Sequence, residues 1–66
     1  MEMILLRTLS EDMIEIEKYS IIAQYYGELW YDKDHQRCIP KYLYEYIHPL
    51  VKDKSIIQVR EMLGIQ

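Results

Sequence analysis

The chain has 66 residues, of which half are apolar and 29% are charged. This composition predicts one small folded domain over residues 1–66. It excludes an intrinsically disordered segment, and no apolar run reaches the ~18 residues of a membrane-spanning helix. The net charge of −3 divides into −5 for residues 1–34 and +2 for residues 35–66. This asymmetry favours self-association or a protein partner. The sequence pI of ≈ 5.2 argues against nucleic acid, because DNA-binding domains are typically basic.

The N-terminal third has two interpretations that the sequence leaves open. Residues 3–7 form a short apolar run, and residues 13–17 alternate apolar and acidic side chains with the period of a half-buried strand. A polar turn separates them, so the pattern predicts a hairpin. Alternatively, Ser10 is a helix N-cap and one long helix runs to Trp30.

A helix and a third strand are predicted for the middle of the chain. Apolar residues recur at three- and four-residue spacing over residues 20–30, which predicts an amphipathic helix with Trp30 on its buried face. Residues 31–37 are polar and read as a loop. Residues 37–39 predict a short strand, and Pro40 suits the first position of the helix that follows it.

Two helices are predicted for the C-terminal part. The first has Leu43, Ile47, Leu50 and Val51 at helical spacing, and Pro49 is expected to limit or kink it. Ser55 and Gln58 form a capping-box pattern for the second helix, which Gly64 ends. The predicted fold class is therefore α+β, with a sheet of two to three strands on three helices. An all-α three-helix domain is the alternative.

Taken in order, these segments resemble a shortened BTB/POZ domain of the type found in elongin C and related cullin-ligase adaptors. Residues 4–17 are similar to the first hairpin of that family. Residues 19–31, with small Ala23 before the aromatics, are similar to the helical segment that follows. Ile39-Pro40 resembles the passage from the third strand into a helix, and residues 56–65 resemble the closing helix. The chain is shorter than the usual domain, and Arg60-Glu61 replaces a small-residue pair of the closing helix.

The resemblance implies a protein–protein interaction adaptor that bridges a substrate receptor and a cullin ubiquitin ligase. Such domains offer the closing helix to the receptor, which corresponds here to Val59, Met62, Leu63 and Ile65, in or beneath that surface. They offer the third strand and its following helix to the cullin, which corresponds here to Ile39, Tyr42 and Tyr46.

Tyrosine is unusually frequent, with seven copies and no phenylalanine. Tyr42, Tyr44 and Tyr46 cannot all point inward from one helix, because successive positions step by ~100°. At least one of them should be exposed, as should one of Tyr25, Tyr26 and Tyr31. Tyrosine is enriched in protein interfaces. The tyrosine content predicts Tyr42, Tyr44 and Tyr46 as partner-binding residues, and the resemblance implies Val59, Met62, Leu63 and Ile65 in addition.

Residues suited to catalysis or metal binding are few. His35, Cys38 and His48 are too few for a closed zinc site, and a Cys–His pair would lack an orienting group. Glu15 and Glu17 are read as a solvated strand face. We therefore predict no enzyme, no cofactor and no metal. The single cysteine excludes an internal disulfide and is typical of a reducing compartment, the cytoplasm or nucleus.

Two other functions stay open at this point. Residues 55–65 also look like the first helix and turn of a DNA-binding helix-turn-helix, although the recognition helix that should follow the turn is missing. A small virus- or phage-encoded regulator that binds and inhibits a host protein also fits the size of the chain and its tyrosine content.

Overall fold

The computed structural model describes residues 2–65 and shows a mixed α+β fold, so the predicted fold class is confirmed at this level. Three strands form one antiparallel sheet: β1 (Met3–Leu5), β2 (Trp30–Tyr31) and β3 (Arg37–Pro40). Residues 2–65 also contain four helices: α1 (Leu6–Leu9), α2 (Met13–Tyr25), α3 (Lys41–Val51) and α4 (Ile56–Leu63). The sheet makes the all-α alternative wrong. Within the same residues, no helix is long and apolar enough to cross a membrane.

The sheet has β3 at its centre, with β1 on one side and β2 on the other. Ile4 pairs with Ile39 in the middle of the β1–β3 ladder, and Ile39 is fully buried. The backbone N–H of Lys41 donates to the carbonyl of Glu2 at 2.8 Å, which extends this contact by one bond. The strand predicted at residues 37–39 is therefore confirmed and reaches Pro40.

The predicted N-terminal hairpin is wrong, because only its first strand forms. β1 ends at Leu5, and residues 13–17 are the start of α2. Asp12, rather than Ser10, caps this helix, with its Oδ1 accepting from the N–H of Ile14 at 2.8 Å. Ile16 is buried whereas Ile14 is exposed, and burial continues three and four residues later at Tyr19 and Ser20. The apolar–acidic alternation is thus a stretch of amphipathic helix.

Glu17 is an ion-pair partner instead of part of a solvated strand face. Its Oε2 lies 2.6 Å from an Nη atom of Arg37, which also donates to the hydroxyl of Ser20 at 3.1 Å. Because Arg37 begins β3 and the other two residues lie on α2, this contact joins the central strand to the longest helix. It also raises the pKa of Arg37, chiefly through the hydrogen bond to Glu17.

The helix predicted for residues 20–30 ends early, and this changes the position of Trp30. α2 ends at Tyr25, and Gly27 follows with φ of 71°, a left-handed conformation that suits glycine. Trp30 then lies in β2 with 57% of its surface exposed. The prediction that Trp30 belongs to the core is therefore wrong.

The two C-terminal helices agree with the sequence patterns in most details. Leu43, Ile47 and Val51 are buried on α3, whereas Leu50 is exposed. Pro40 is the N-cap of α3 and not its first residue, and Pro49 lies inside the helix near its end.

The predicted capping box of α4 is confirmed. Ser55 Oγ accepts from the N–H of Gln58 at 3.2 Å, and Gln58 Oε1 accepts from the N–H of Ser55 at 2.8 Å. Gly64 ends α4 with φ of 75°, as the sequence predicts.

One core joins the four helices and the central strand β3, and a buried lysine connects α2 to the segment that follows α3. Lys18 on α2 is 4% exposed, and its Nζ donates to the carbonyls of Lys52 at 3.3 Å and Lys54 at 3.0 Å. These carbonyls belong to the turn that follows α3, and Lys18 supplies both of them with a hydrogen-bond donor. The buried apolar core consists of Leu6, Ile16, Tyr19, Ile21, Ile22, Ala23, Ile39, Leu43, Ile47, Val51 and Val59.

Candidate functional site

Two neighbouring grooves hold five of the six large exposed aromatic side chains, and both grooves are lined by Glu28. The first groove, of ≈ 480 Å³, is lined by Met3, Glu28, Trp30, Tyr31, Asp32 and Cys38. The second groove, also of ≈ 480 Å³, is lined by Tyr26, Glu28, Tyr42, Leu43 and Tyr46. These ten residues together are termed the aromatic surface.

The register of the sheet builds the first groove. Trp30 on β2 lies directly opposite Cys38 on β3, so both side chains project from the same face of the sheet. Met3 pairs with Pro40, two residues beyond Cys38, and therefore shares that face. The groove thus has an apolar floor formed by residues from all three strands.

Glu28 connects the two grooves and is held by Tyr42. The Tyr42 hydroxyl donates to Glu28 Oε1 at 2.9 Å, which joins α3 to the segment between α2 and β2. This hydrogen bond is the main cause of a raised pKa of Tyr42, with desolvation and the carboxylate charge adding to it. The Tyr42 ring is therefore fixed at the wall of the second groove in its neutral form.

The three tyrosines predicted on α3 divide between surface and core. Tyr42 and Tyr46 are exposed and line the second groove, and Tyr46 is 62% exposed. Tyr44 is partly buried and packs against the core, with its ring centroid 5.4 Å from that of Tyr19. The expectation that at least one of the three is exposed is confirmed. Tyr25, Tyr26 and Tyr31 are all exposed.

The residues predicted on the closing helix lie apart from the aromatic surface. Val59 is fully buried beneath the surface of α4, and Leu63 and Ile65 pack against the core while partly buried. Met62 is 47% exposed and lines neither groove. Tyr42 and Tyr46 therefore lie on the aromatic surface, whereas Met62 is exposed outside it.

Sequence reasoning missed the contribution of the sheet to the aromatic surface. Trp30, Tyr31 and Met3 were not predicted as contact residues, yet they are three of the six residues that line the first groove. One local signal indicated this arrangement: Gly27 interrupts the apolar helical pattern and favours a helix stop before Trp30. Tryptophan and tyrosine are also enriched in strands.

The candidate metal and nucleophile residues do not form a reactive site. The Tyr19 hydroxyl lies 2.5 Å from His48 Nδ1, while His35 lies in the turn before β3. Burial raises the pKa of the Cys38 thiol, and the nearby Asp32 carboxylate adds to this rise, so the reactive thiolate is disfavoured. Within residues 2–65, no group of three or more His, Cys, Asp or Glu side chains is placed to hold a metal ion.

Comparison with known proteins gave no match to a family model, to a curated protein or to a solved structure. The BTB/POZ resemblance therefore stays a prediction. The geometry itself defines a small α+β domain that has two adjoining aromatic grooves and, outside them, the exposed apolar side chains of Ile57 and Met62 on α4.

Proposed function

We propose that this chain is a protein-interaction module that binds a protein partner through the aromatic surface. The observation that supports this proposal is the continuous exposure of Trp30, Tyr31, Tyr42 and Tyr46 along two grooves that share Glu28. Contiguous exposed apolar surface is typical of interaction sites, and tryptophan and tyrosine dominate the binding energy of interfaces. No catalytic activity is proposed.

An adaptor role is the more specific form of this proposal. An adaptor needs two surfaces, and α4 offers a second one around Met62, apart from the aromatic surface. The BTB/POZ resemblance implies that these surfaces take a cullin and a substrate receptor, and that implication rests on sequence motifs alone. A cytoplasmic or nuclear location fits the single free cysteine.

DNA binding receives no support from the aromatic surface. Its charged lining residues are Glu28 and Asp32, both of them acidic. Because phosphate groups are repelled by carboxylates, a groove of this charge disfavours a nucleic-acid backbone.

Site-specific photo-crosslinking tests the proposed function. A photoreactive phenylalanine derivative replaces Tyr46, and separately Ile57, in the tagged chain, which is then irradiated in a lysate of its source cells. Ile57 is the matched control because it is 69% exposed, apolar and outside both grooves. We expect a discrete protein adduct from Tyr46 and none of the same mass from Ile57. Identical adducts from both positions, or none from Tyr46, would contradict the proposal.

The same design distinguishes an adaptor from a module with one partner. A third chain carries the photoreactive residue at Met62. An adaptor gives one protein adduct from Tyr46 and a different one from Met62. A module with one partner gives an adduct from Tyr46 alone.

A further inference from the structure

The charged side chains of the aromatic surface are all negative. Among its ten residues, Glu28 and Asp32 are the only ionised side chains at neutral pH, and no lysine, arginine or histidine lines either groove. An apolar site with two carboxylates is electrostatically complementary to a cationic side chain. The aromatic surface therefore favours a partner that presents a positively charged side chain.

Both carboxylates are fixed by the fold through one oxygen each. Glu28 Oε1 accepts from the Tyr42 hydroxyl, and Asp32 Oδ1 accepts from the backbone N–H groups of Asp34 and Gln36, both at 2.9 Å. Among residues 2–65, the second oxygen of each carboxylate has no hydrogen-bond or ion-pair partner. These two oxygens are positioned acceptors at the rim of an apolar groove.

A second copy of the chain is a poor occupant. In a two-fold dimer the same patch meets itself, so Glu28 and Asp32 of both copies would lie in one interface. Like charges placed opposite each other oppose association. A positively charged partner would instead be attracted to these two carboxylates.

We infer that the first groove binds an extended segment of a partner protein in which arginine or lysine alternates with apolar side chains. This inference rests on the proposed function. The guanidinium or ammonium group stacks on the exposed Trp30 ring and donates to Glu28 and Asp32. Its aliphatic stem and the neighbouring apolar side chains cover Met3 and Cys38.

Trp30 makes the test direct, because it is the only tryptophan of the chain and it lies in the groove. Three peptides of equal length, alternating leucine with arginine, glutamine or glutamate, are titrated against the full chain while tryptophan fluorescence is recorded. We expect the arginine peptide to bind about tenfold more tightly than the glutamine peptide, and the glutamate peptide to bind most weakly. Added salt should reduce this preference.

Charge-removing variants locate the effect. Glu28→Gln and Asp32→Asn should each weaken binding of the arginine peptide by about fivefold, as expected for partly exposed ion pairs. Glu61→Gln removes the charge of an exposed carboxylate outside both grooves and should leave the affinity for the arginine peptide unchanged. An equal loss in Glu61→Gln would show a general charge effect and overturn the inference.

The remaining outcomes separate this inference from the proposed function. If the arginine and glutamine peptides bind equally, or no peptide changes the fluorescence of Trp30, the inferred partner chemistry is wrong. A specific adduct from Tyr46 would then still support an interaction module. Loss of both the adduct and the peptide signal would overturn the two proposals together.

Discussion

The hydroxyl of Tyr19 lies 2.5 Å from Nδ1 of His48 and joins the middle of α2 to the last turns of α3. The ring of Tyr44 stacks on His48, with centroids 5.1 Å apart, so the three side chains form one cluster. Desolvation is the main reason that the pKa of Tyr19 rises to about 12, with Tyr44 and then Glu15 contributing. The Tyr19 hydroxyl is therefore protonated at neutral pH.

Replacing Tyr19 with phenylalanine should lower stability. Tyr19 is 2% exposed, and Tyr19→Phe leaves a partly buried ring nitrogen of His48 without its partner. We expect a loss of about 1–2 kcal/mol in the free energy of unfolding. Urea denaturation followed by circular dichroism measures it. Tyr25→Phe, at an exposed position, is the control and should stay within about 0.5 kcal/mol of the wild type.

The raised pKa of Tyr19 also predicts a pH dependence at alkaline pH. The unfolded tyrosine ionises near pH 10 and the folded one near pH 12, so the native state holds the proton more tightly. The stabilising contribution is complete below pH 10 and is lost as the pH rises through 12. Stability measured across this window should fall more steeply in the wild type than in Tyr19→Phe. Parallel curves would show that Tyr19 ionises normally in the folded protein.

Lys18 is expected to stabilise the junction between α2 and the end of α3. Lys18→Met keeps a long side chain but removes both hydrogen bonds to the carbonyls of Lys52 and Lys54. The expected loss is about 1–3 kcal/mol, because two carbonyls lose their donor. Thermal unfolding of both variants measures this loss against Lys33→Met, the control at an exposed loop lysine. Equal effects would mean that the buried contacts are unimportant.

The exposure of Trp30 predicts that its removal is tolerated. Trp30→Ala should reduce stability by less than about 1 kcal/mol, because the side chain is 57% exposed at a sheet edge. Ile22→Ala, at a fully buried position of α2, should cost about 2–5 kcal/mol. Urea denaturation followed by far-ultraviolet circular dichroism gives both values. A large loss in Trp30→Ala would place this side chain in the core.

Variants of Val59 and Met62 on α4 should affect stability and binding differently. Val59→Ala creates a cavity in the core and should cost about 2 kcal/mol, whereas Met62→Ala should leave stability unchanged within about 0.5 kcal/mol. If α4 is an interaction surface, Met62→Asp should weaken partner capture while the variant remains folded. Equal losses of folding and binding in Met62→Asp would remove this residue from the interface.

Helix α4, which is set by local interactions, was predicted in detail, whereas the structure of residues 13–17 depended partly on packing against the core and was predicted wrongly. Ser55, Gln58 and Gly64 act within one helix, so α4 was predicted with its cap and its end. Residues 13–17 fit both a strand and a helix over so short a stretch. The choice depended on the Asp12 cap and on burial of Ile16 against the rest of the core.

The candidate surface shows the same division. Exposure of at least one of Tyr42, Tyr44 and Tyr46 follows from the rotation of a helix, whereas the sequence left open which of them it would be. The first groove exists because Trp30 pairs with Cys38 while Met3 pairs with Pro40, and no local pattern specifies these registers.

The central position of β3 determines the order in which the sheet can assemble during synthesis. β2 and β3 are near neighbours along the chain, so their hairpin closes only a short loop. β1 leaves the ribosome first, yet its partner Ile39 follows only after α2 and the hairpin turn. Contacts between such distant residues form slowly. β1 therefore has no strand to pair with until β3 has been synthesised, and its apolar residues Ile4 and Leu5 lack their strand partners until then.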